Sequence, residues 1–160
     1  MPESSLVRVA DLDHPAASWD GADTVSVQLQ QPSATALEAA QRARQRRLRV
    51  VADGVPAPQI RAELLASVDV IRANATEAAL IAGEEEATVE QAWHGGSELF
   101  EFSDVEVVDP TGAGDAFVAG LISALRDGAS PPQAGRRASA GASATVQRLG
   151  GRPDLSELRA

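Results

Sequence analysis

Three short runs rich in β-branched residues, at 24–30, 48–52 and 68–72, alternate with stretches of helical periodicity, and this alternation constrains the fold more than any other feature of the chain. Strands joined through crossover helices pair in parallel, with the helices laid over the faces of the sheet. The first run alternates apolar and polar residues. Pro32 and Ser33 then open a helix to about Arg47, with Thr35 and Glu38 spaced as a capping box. A short helix is predicted at 59–66, and Asn74 precedes another at 75–81, stopped by Gly83. In such a sheet ligands gather beyond the carboxyl ends of the strands. Residues 1–21 contain Pro2, Pro15 and Gly21 without periodicity and predict a loose leading segment. Residues 22–160 predict one domain.

The run Val107-Val-Asp-Pro-Thr-Gly-Ala-Gly-Asp-Ala-Phe117 places a glycine-rich turn between a predicted strand at 105–108 and a helix in which Phe117, Leu121 and Leu125 recur at helical spacing. Gly112 and Gly114 admit backbone conformations closed to other residues. The free N–H groups at a helix start carry partial positive charge, which suits an anionic phosphate. The Asp115 carboxylate would repel that anion, so proton acceptance is its more fitting role. The plain alternative is a capping acid after a tight turn. Residues 98–102 and 105–108 predict an antiparallel hairpin. Ser130-Pro131 starts a last helix whose small residues at 138–144 predict close packing, and Gly150-Gly-Arg-Pro153 ends it.

A chain of 160 residues with 44% hydrophobic content can bury one core. A formal net charge of -9 argues against nucleic acid or an anionic membrane as partner. No apolar run approaches a membrane span and the N-terminus lacks a signal-peptide pattern, so a cytoplasmic protein is expected. Cysteine is absent, which excludes disulfides and thiol chemistry. All 14 basic residues are arginine. Without lysine there is neither a Walker A loop nor Schiff-base catalysis. The densest basic stretch, Arg42, Arg44, Arg46, Arg47 and Arg49, falls where a helix ends and suits its dipole. His14 and His94 are far apart and give little support to a histidine metal site. Glu84, Glu85 and Glu86 read as a solvated loop or helix start.

Asn74-Ala-Thr-Glu77 after a strand, followed in order by Asp109-Pro-Thr-Gly-Ala-Gly-Asp-Ala-Phe117, resembles the ribokinase family of carbohydrate kinases, also called the phosphofructokinase-B family. Residues 22–30, 49–53 and 138–150 extend the likeness over most of the chain. The resemblance implies a ribokinase-like α/β fold, a parallel sheet flanked by helices, present in part and without a lid. It implies transfer of the ATP γ-phosphate to a hydroxymethyl group of a sugar or nucleoside. Asp115 would be the base, and Gly112, Ala113 and Gly114 the anion hole. Asn74 and Glu77 would organise Mg²⁺ and the ATP phosphates, Glu77 through water. Asp109 and Thr111, with carbonyls near Arg148 and Gly150, match places that bind a monovalent cation such as K⁺. Ser139 aligns near the nucleotide base. On the residues alone, Asn74 and Glu77 equally form a helix cap with its third-position glutamate, and Asp109 and Thr111 equally form a turn.

The family carries an earlier half with a sugar site and lid, and a Thr-x-Gly-x-x-Gly turn that holds ATP. Neither is expected here: little precedes Ala22, and the interval between Gly83 and Val105 is short. Gln30 stands where such kinases often place a sugar-contacting glutamate. The chain by itself is therefore expected to be a poor sugar kinase. The alternative is a non-catalytic kinase-fold module that binds phosphate or a protein partner, with a homodimer covering exposed apolar surface. A dinucleotide-dependent oxidoreductase fits the strand-helix order but lacks Gly-x-Gly-x-x-Gly after the first strand.

Overall fold

The computed structural model describes residues 6–13, 19–82, 100 and 105–151. The chain divides into two compact units, Met1–His94 and Gly95–Ala160.

The first unit is built on a parallel sheet of β1 (Thr24–Gln28), β2 (Arg49–Asp53) and β3 (Val70–Arg72) in that spatial order. Thr24 pairs with Arg49, Gln28 with Asp53, and Asp53 with Arg72. The central strand buries Val50, Val51 and Ala52 completely, which is why it reads as a continuous apolar run and not as an alternation. Helices α1 (Ser33–Gln45), α2 (Arg61–Ser67) and α3 (Ala75–Ala82) intervene or follow. Ala36, Ala39, Ala40 and Ala43 of α1 are buried in the core cluster with Val27, Leu64 and Val68. Their spacing is that of one helical face, and a methyl group at each lets the helix lie close to its neighbours. Complete burial of Leu64 contributes about 1.5–3 kcal/mol.

Helix α1 differs at its start from the expected capping box. Pro32 occupies the cap position without a side-chain hydrogen bond. Thr35 lies inside the helix and its hydroxyl donates to the Val7 carbonyl at 2.9 Å, while Glu38 accepts from Arg42 Nε at 2.6 Å. The tertiary contact with the leading segment takes the hydroxyl that a local cap needs. That segment contains a 3-10 helix at Val9–Asp13. At the other end Arg47 takes a left-handed conformation, φ 60°. The Leu48 N–H reaches Ala43 O at 2.9 Å and the Arg47 N–H reaches Arg44 O at 3.0 Å. This closure satisfies carbonyls that would otherwise be left over, here without the usual glycine.

The described part of the second unit centres on α4 (Ala113–Arg126) and α5 (Pro131–Val146). A Cβ on Gly120 would stand 3.0 Å from Ala138 Cα, so the two helices meet backbone to backbone at this point. Ala134, Ala138 and Ala142, four apart on α5, are fully buried, and α4 buries Val118, Leu121, Ala124 and Leu125. The Ser130 N–H donates to Gln133 Oε1 at 3.0 Å at the start of α5. The Phe100 ring covers Gly135, where a Cβ would come within 2.0 Å of it, and lies 6.3 Å from the Phe117 ring.

The expected strand at 105–108 is not formed: these residues are irregular, and 106–108 are exposed. An extended apolar run becomes a strand only beside a partner ladder, and among the described residues none pairs with it. The Val108 N–H instead goes to Val146 O at the end of α5. The other half of the expected hairpin, apart from Phe100, lies outside the described residues. So do His14, His94, the acidic triplet at 84–86 and the chain after Gly151.

Candidate functional site

Helix α4 begins abruptly. Gly112 at its cap has φ 77° and ψ -2°, a left-handed conformation, and no side chain caps the helix. A Cβ on Gly112 would meet the Gly151 carbonyl oxygen at 2.8 Å, and one on Gly151, φ 63°, would meet the Thr111 carbonyl oxygen at 2.8 Å. The loops before α4 and after α5 therefore pack main chain against main chain.

Asp109 joins the same two loops. Its Oδ1 accepts the Thr111 N–H at 2.9 Å and its Oδ2 accepts the Gly150 N–H at 3.0 Å. The Thr111 side chain, with the Gly150 and Thr111 N–H groups, holds the Asp109 carboxyl below the usual carboxylate range. The N–H groups of Val108 and Asp109 converge on Val146 O at 2.8 and 3.0 Å.

The turn itself is left open. The Ala113 N–H goes to Pro110 O at 3.3 Å. Among the described residues no acceptor meets the N–H of Gly114 or Asp115, first-turn donors that have no partner within the helix. Asp115 is exposed in that first turn, and among the described residues no group engages its carboxylate. Two open donors and the positive end of a helix suit an anion, and a free carboxylate beside them suits a proton. Ser139 lies outside this loop pair, buried in the middle of α5.

In the first unit, Asn74 and Glu77 are brought together as a reciprocal cap at the start of α3. The Glu77 N–H donates to Asn74 Oδ1 at 2.9 Å and the Asn74 N–H to Glu77 Oε2 at 2.8 Å. Behind them the last residues of the three strands form a polar ladder. Gln28 Nε2 donates to Asp53 Oδ2 at 2.7 Å, and Arg72 Nη1 to Asp53 Oδ1 at 3.0 Å. Arg72 Nη1 also stands 3.7 Å from Glu77 Oε2. The Asp53 side chain is only 7% exposed, so the arginine and glutamine compensate a carboxylate that burial alone would penalise. A groove of about 430 Å³ lies elsewhere in this unit, along β1 and α1, and shares only Gln28 with the ladder. Among the described residues no three His, Asp or Glu side chains cluster to hold a metal ion.

Sequence reasoning missed Gly151 and the strand-end ladder. The pair Gly150-Gly151 read only as a helix stop. The ladder had a signal, a polar or charged residue closing each strand, but the in-register pairing that aligns Gln28, Asp53 and Arg72 is visible only in the sheet.

Residues 94–158 match the model of the pfkB family carbohydrate kinases. Among curated proteins, the ribokinase of Haemophilus influenzae is 28% identical over an alignment covering 83% of this chain and 52% of the relative. Among solved structures, Arabidopsis thaliana ribokinase complexed with ribose and ATP superposes with a TM-score of 0.72 at 25% identity, covering 93% of this chain and 57% of that one. Adenosine kinase from Schistosoma mansoni in complex with 2-fluoroadenosine has a TM-score of 0.69 at 16% identity, covering 91% and 57%, a likeness of fold. The chain thus spans about half the length of the relatives it matches.

Proposed function

We propose, from the match of residues 94–158 to the pfkB family carbohydrate kinases and the ribokinase-like fold, that the protein serves transfer of the ATP γ-phosphate to a hydroxymethyl group of a sugar or nucleoside. The observation that carries this reading is the start of α4, entered through left-handed Gly112 without a side-chain cap, with the exposed Asp115 carboxylate, which no described residue engages, in the same turn. The bound ribose and ATP of the Arabidopsis neighbour support the substrate classes. A cytoplasmic location, where ATP is supplied, belongs to the same proposal, and no described helix is long and apolar enough to cross a membrane.

In this reading the Asp115 carboxylate accepts the hydroxyl proton as that oxygen bonds to the γ-phosphorus. The bond from the γ-phosphorus to its bridging oxygen breaks, and ADP leaves with the electron pair. The N–H groups of Gly114 and Asp115, with Gly112 giving the main chain its close approach, stabilise charge on the transferring oxygens. Ala113 contributes to that hole only if its N–H leaves Pro110 O. Mg²⁺ supplies charge neutralisation on the phosphates when bound with ATP. Asn74 and Glu77 fit it as outer ligands, since this ion takes few protein oxygens and keeps its waters, although both side chains then share their role with the cap. Ser139 reaches the base only if α5 uncovers it, being 8% exposed. No step is assigned to K⁺; each Asp109 oxygen accepts one backbone N–H and keeps a further lone pair.

The test is amide NMR of the chain titrated with Mg²⁺–ATP, together with ADP release in the presence of pentoses, hexoses and nucleosides. The amides of residues 112–115 are expected to shift first and furthest. Sugar-stimulated turnover of this chain alone is expected to be slow, because alignment of the acceptor supplies much of the rate. Unmoved amides at 112–115 under saturating nucleotide would remove the site.

A further inference from the structure

A strand at the edge of a sheet offers a row of N–H and C=O groups to any other strand, and stable proteins blunt such edges with short strands, charged side chains, prolines or bulges. The two edges of the sheet in the first unit differ in this respect. At one edge β3 is three residues long, follows Asp69 and ends on Arg72. At the other, β1 is five residues long, Thr-Val-Ser-Val-Gln, without charge or proline and in unbroken register with β2. Successive residues of a strand turn their main-chain groups to opposite sides. The Arg49 N–H donates to Asp23 O and the Leu29 N–H to Asp53 O, each at 2.9 Å, so the odd-numbered residues of β1 bond towards β2. Thr24, Ser26 and Gln28 therefore turn their N–H and C=O groups outwards, and among the described residues no strand lies on that side. Gln28 O accepts the Gln31 N–H at 3.2 Å, which leaves it a second lone pair. Ser26, at the centre, is exposed. The groove between β1 and α1, lined by Val25, Val27, Ala36 and Ala39, runs beside this edge.

We propose that the β1 edge is a dimer seam, covered by β1 of a second copy of this chain running antiparallel about a two-fold axis at Ser26. The outward groups are a palindrome about that residue. Ser26 exchanges two hydrogen bonds with Ser26 of the second copy, and Thr24 does the same with Gln28 on either side, so that each outward N–H meets a C=O. This register sets Val25 opposite Val27 of the second copy, a β-branched pair of the kind that stabilises sheets. It sets Asp23 opposite Leu29, so no acid directly faces an acid across the seam although the chain carries a net charge of -9. A two-fold contact uses the same patch on both copies and closes, and the short, charged edge at β3 does not extend it. The seam involves no residue of α4 and stands apart from the reading of that helix start.

Sedimentation equilibrium of the purified chain over a concentration series is expected to show monomer passing into dimer. Hydrogen exchange, read residue by residue, carries the signature of the seam. The amides of Thr24, Ser26 and Gln28 are expected to slow as concentration rises, while those of Val25 and Val27, already turned to β2, do not change. Ser26→Lys sets two ammonium groups against each other at the axis and is expected to weaken the dimer about fivefold. Ser26→Glu alone should do the same, and an equimolar mixture of the two variants is expected to restore the dimer with one copy of each. Ser26→Pro removes the central N–H, which β2 does not use, and is expected to leave a monomer with unchanged far-ultraviolet ellipticity. Should that variant fail to fold, the charge-swap mixture decides. A wild-type chain that stays monomeric up to millimolar concentration overturns the proposal and leaves the edge to a different strand. A dimer that keeps its full strength in both charged variants, with the amides at 24, 26 and 28 unprotected, overturns it in favour of another face of the chain.

Discussion

Two helix starts, one in each unit, solve the same problem in opposite ways. At α3 the unsatisfied N–H groups are answered from within, Asn74 and Glu77 each accepting the other's backbone N–H. At α4 no side chain answers them, and the residue at the cap is a left-handed glycine. A closed start stabilises its helix locally and gains little from a ligand. The open one leaves the Gly114 and Asp115 N–H groups without an acceptor among the described residues, and the loops on either side of it are joined through Asp109 and Gly151. The contrast separates a helix end built for stability from one whose local stability has been left incomplete, as is common at functional sites.

The sharpest way to break that contrast is at the carboxylate beside the open start. In any form of the protein that shows phosphotransfer, Asp115→Asn is expected to lower turnover by about two powers of ten or more with nucleotide affinity nearly unchanged. Near-normal turnover in steady-state assays would return Asp115 to the status of an ordinary first-turn acid.

Next in size is Gly112→Ala. The substitution forces an L residue to φ 77° and drives a methyl group to 2.8 Å from the Gly151 carbonyl. A loss of about 1–3 kcal/mol is expected in urea unfolding, along with loss of phosphate binding. Gly21→Ala supplies the control, since it carries the same φ of 77° but nothing stands within 4 Å of its Cβ. Equal losses for the two would mean that the loop contact adds nothing to backbone strain.

At the closed start Asn74→Ala should cost about 1 kcal/mol, the ordinary value of a helix cap, measured as a shift in the urea midpoint. The smallest expected effect concerns pH. The folded-state pKa of Asp109 lies below its unfolded value, so its stabilising contribution is present above the ordinary carboxylate pKa of about 3.9 and is lost as pH falls through the depressed folded value. The stability difference between wild type and Asp109→Asn should therefore be full at neutral pH and shrink below about pH 4. A difference that stays constant across that range would show that the carboxylate gains nothing from its two N–H partners.

Much of this was legible before any coordinates. The strands at β1, β2 and β3 and the helices around them follow from runs of apolar residues whose period is set within a few positions. Asn74 and Glu77 were readable as a cap because both partners lie within one turn. The strand expected at 105–108 was misread for the complementary reason: its apolar residues carry the right local preference, but a strand exists only with a neighbour, and the Val108 N–H goes to Val146 O at the end of α5. Thr35 failed as a cap in the same way, its hydroxyl drawn to Val7.

The sequence by itself determined the parallel α/β order, the likeness to carbohydrate kinases and the placing of one glycine turn and one acid at the mouth of α4. These are properties of short windows, where backbone preference, periodicity and capping act over a few residues. Tertiary structure alone decided which carboxylate clips which loop and which strand ends share a polar ladder. Asp109 and the Gly150 N–H that it holds are 41 positions apart, and Gln28 meets Asp53 across 25. No local preference encodes such pairs. They arise when close packing of α4 on α5, and of β1 on β2, brings distant polar groups within reach of one another, and at Asp53 burial adds the cost of going without a partner.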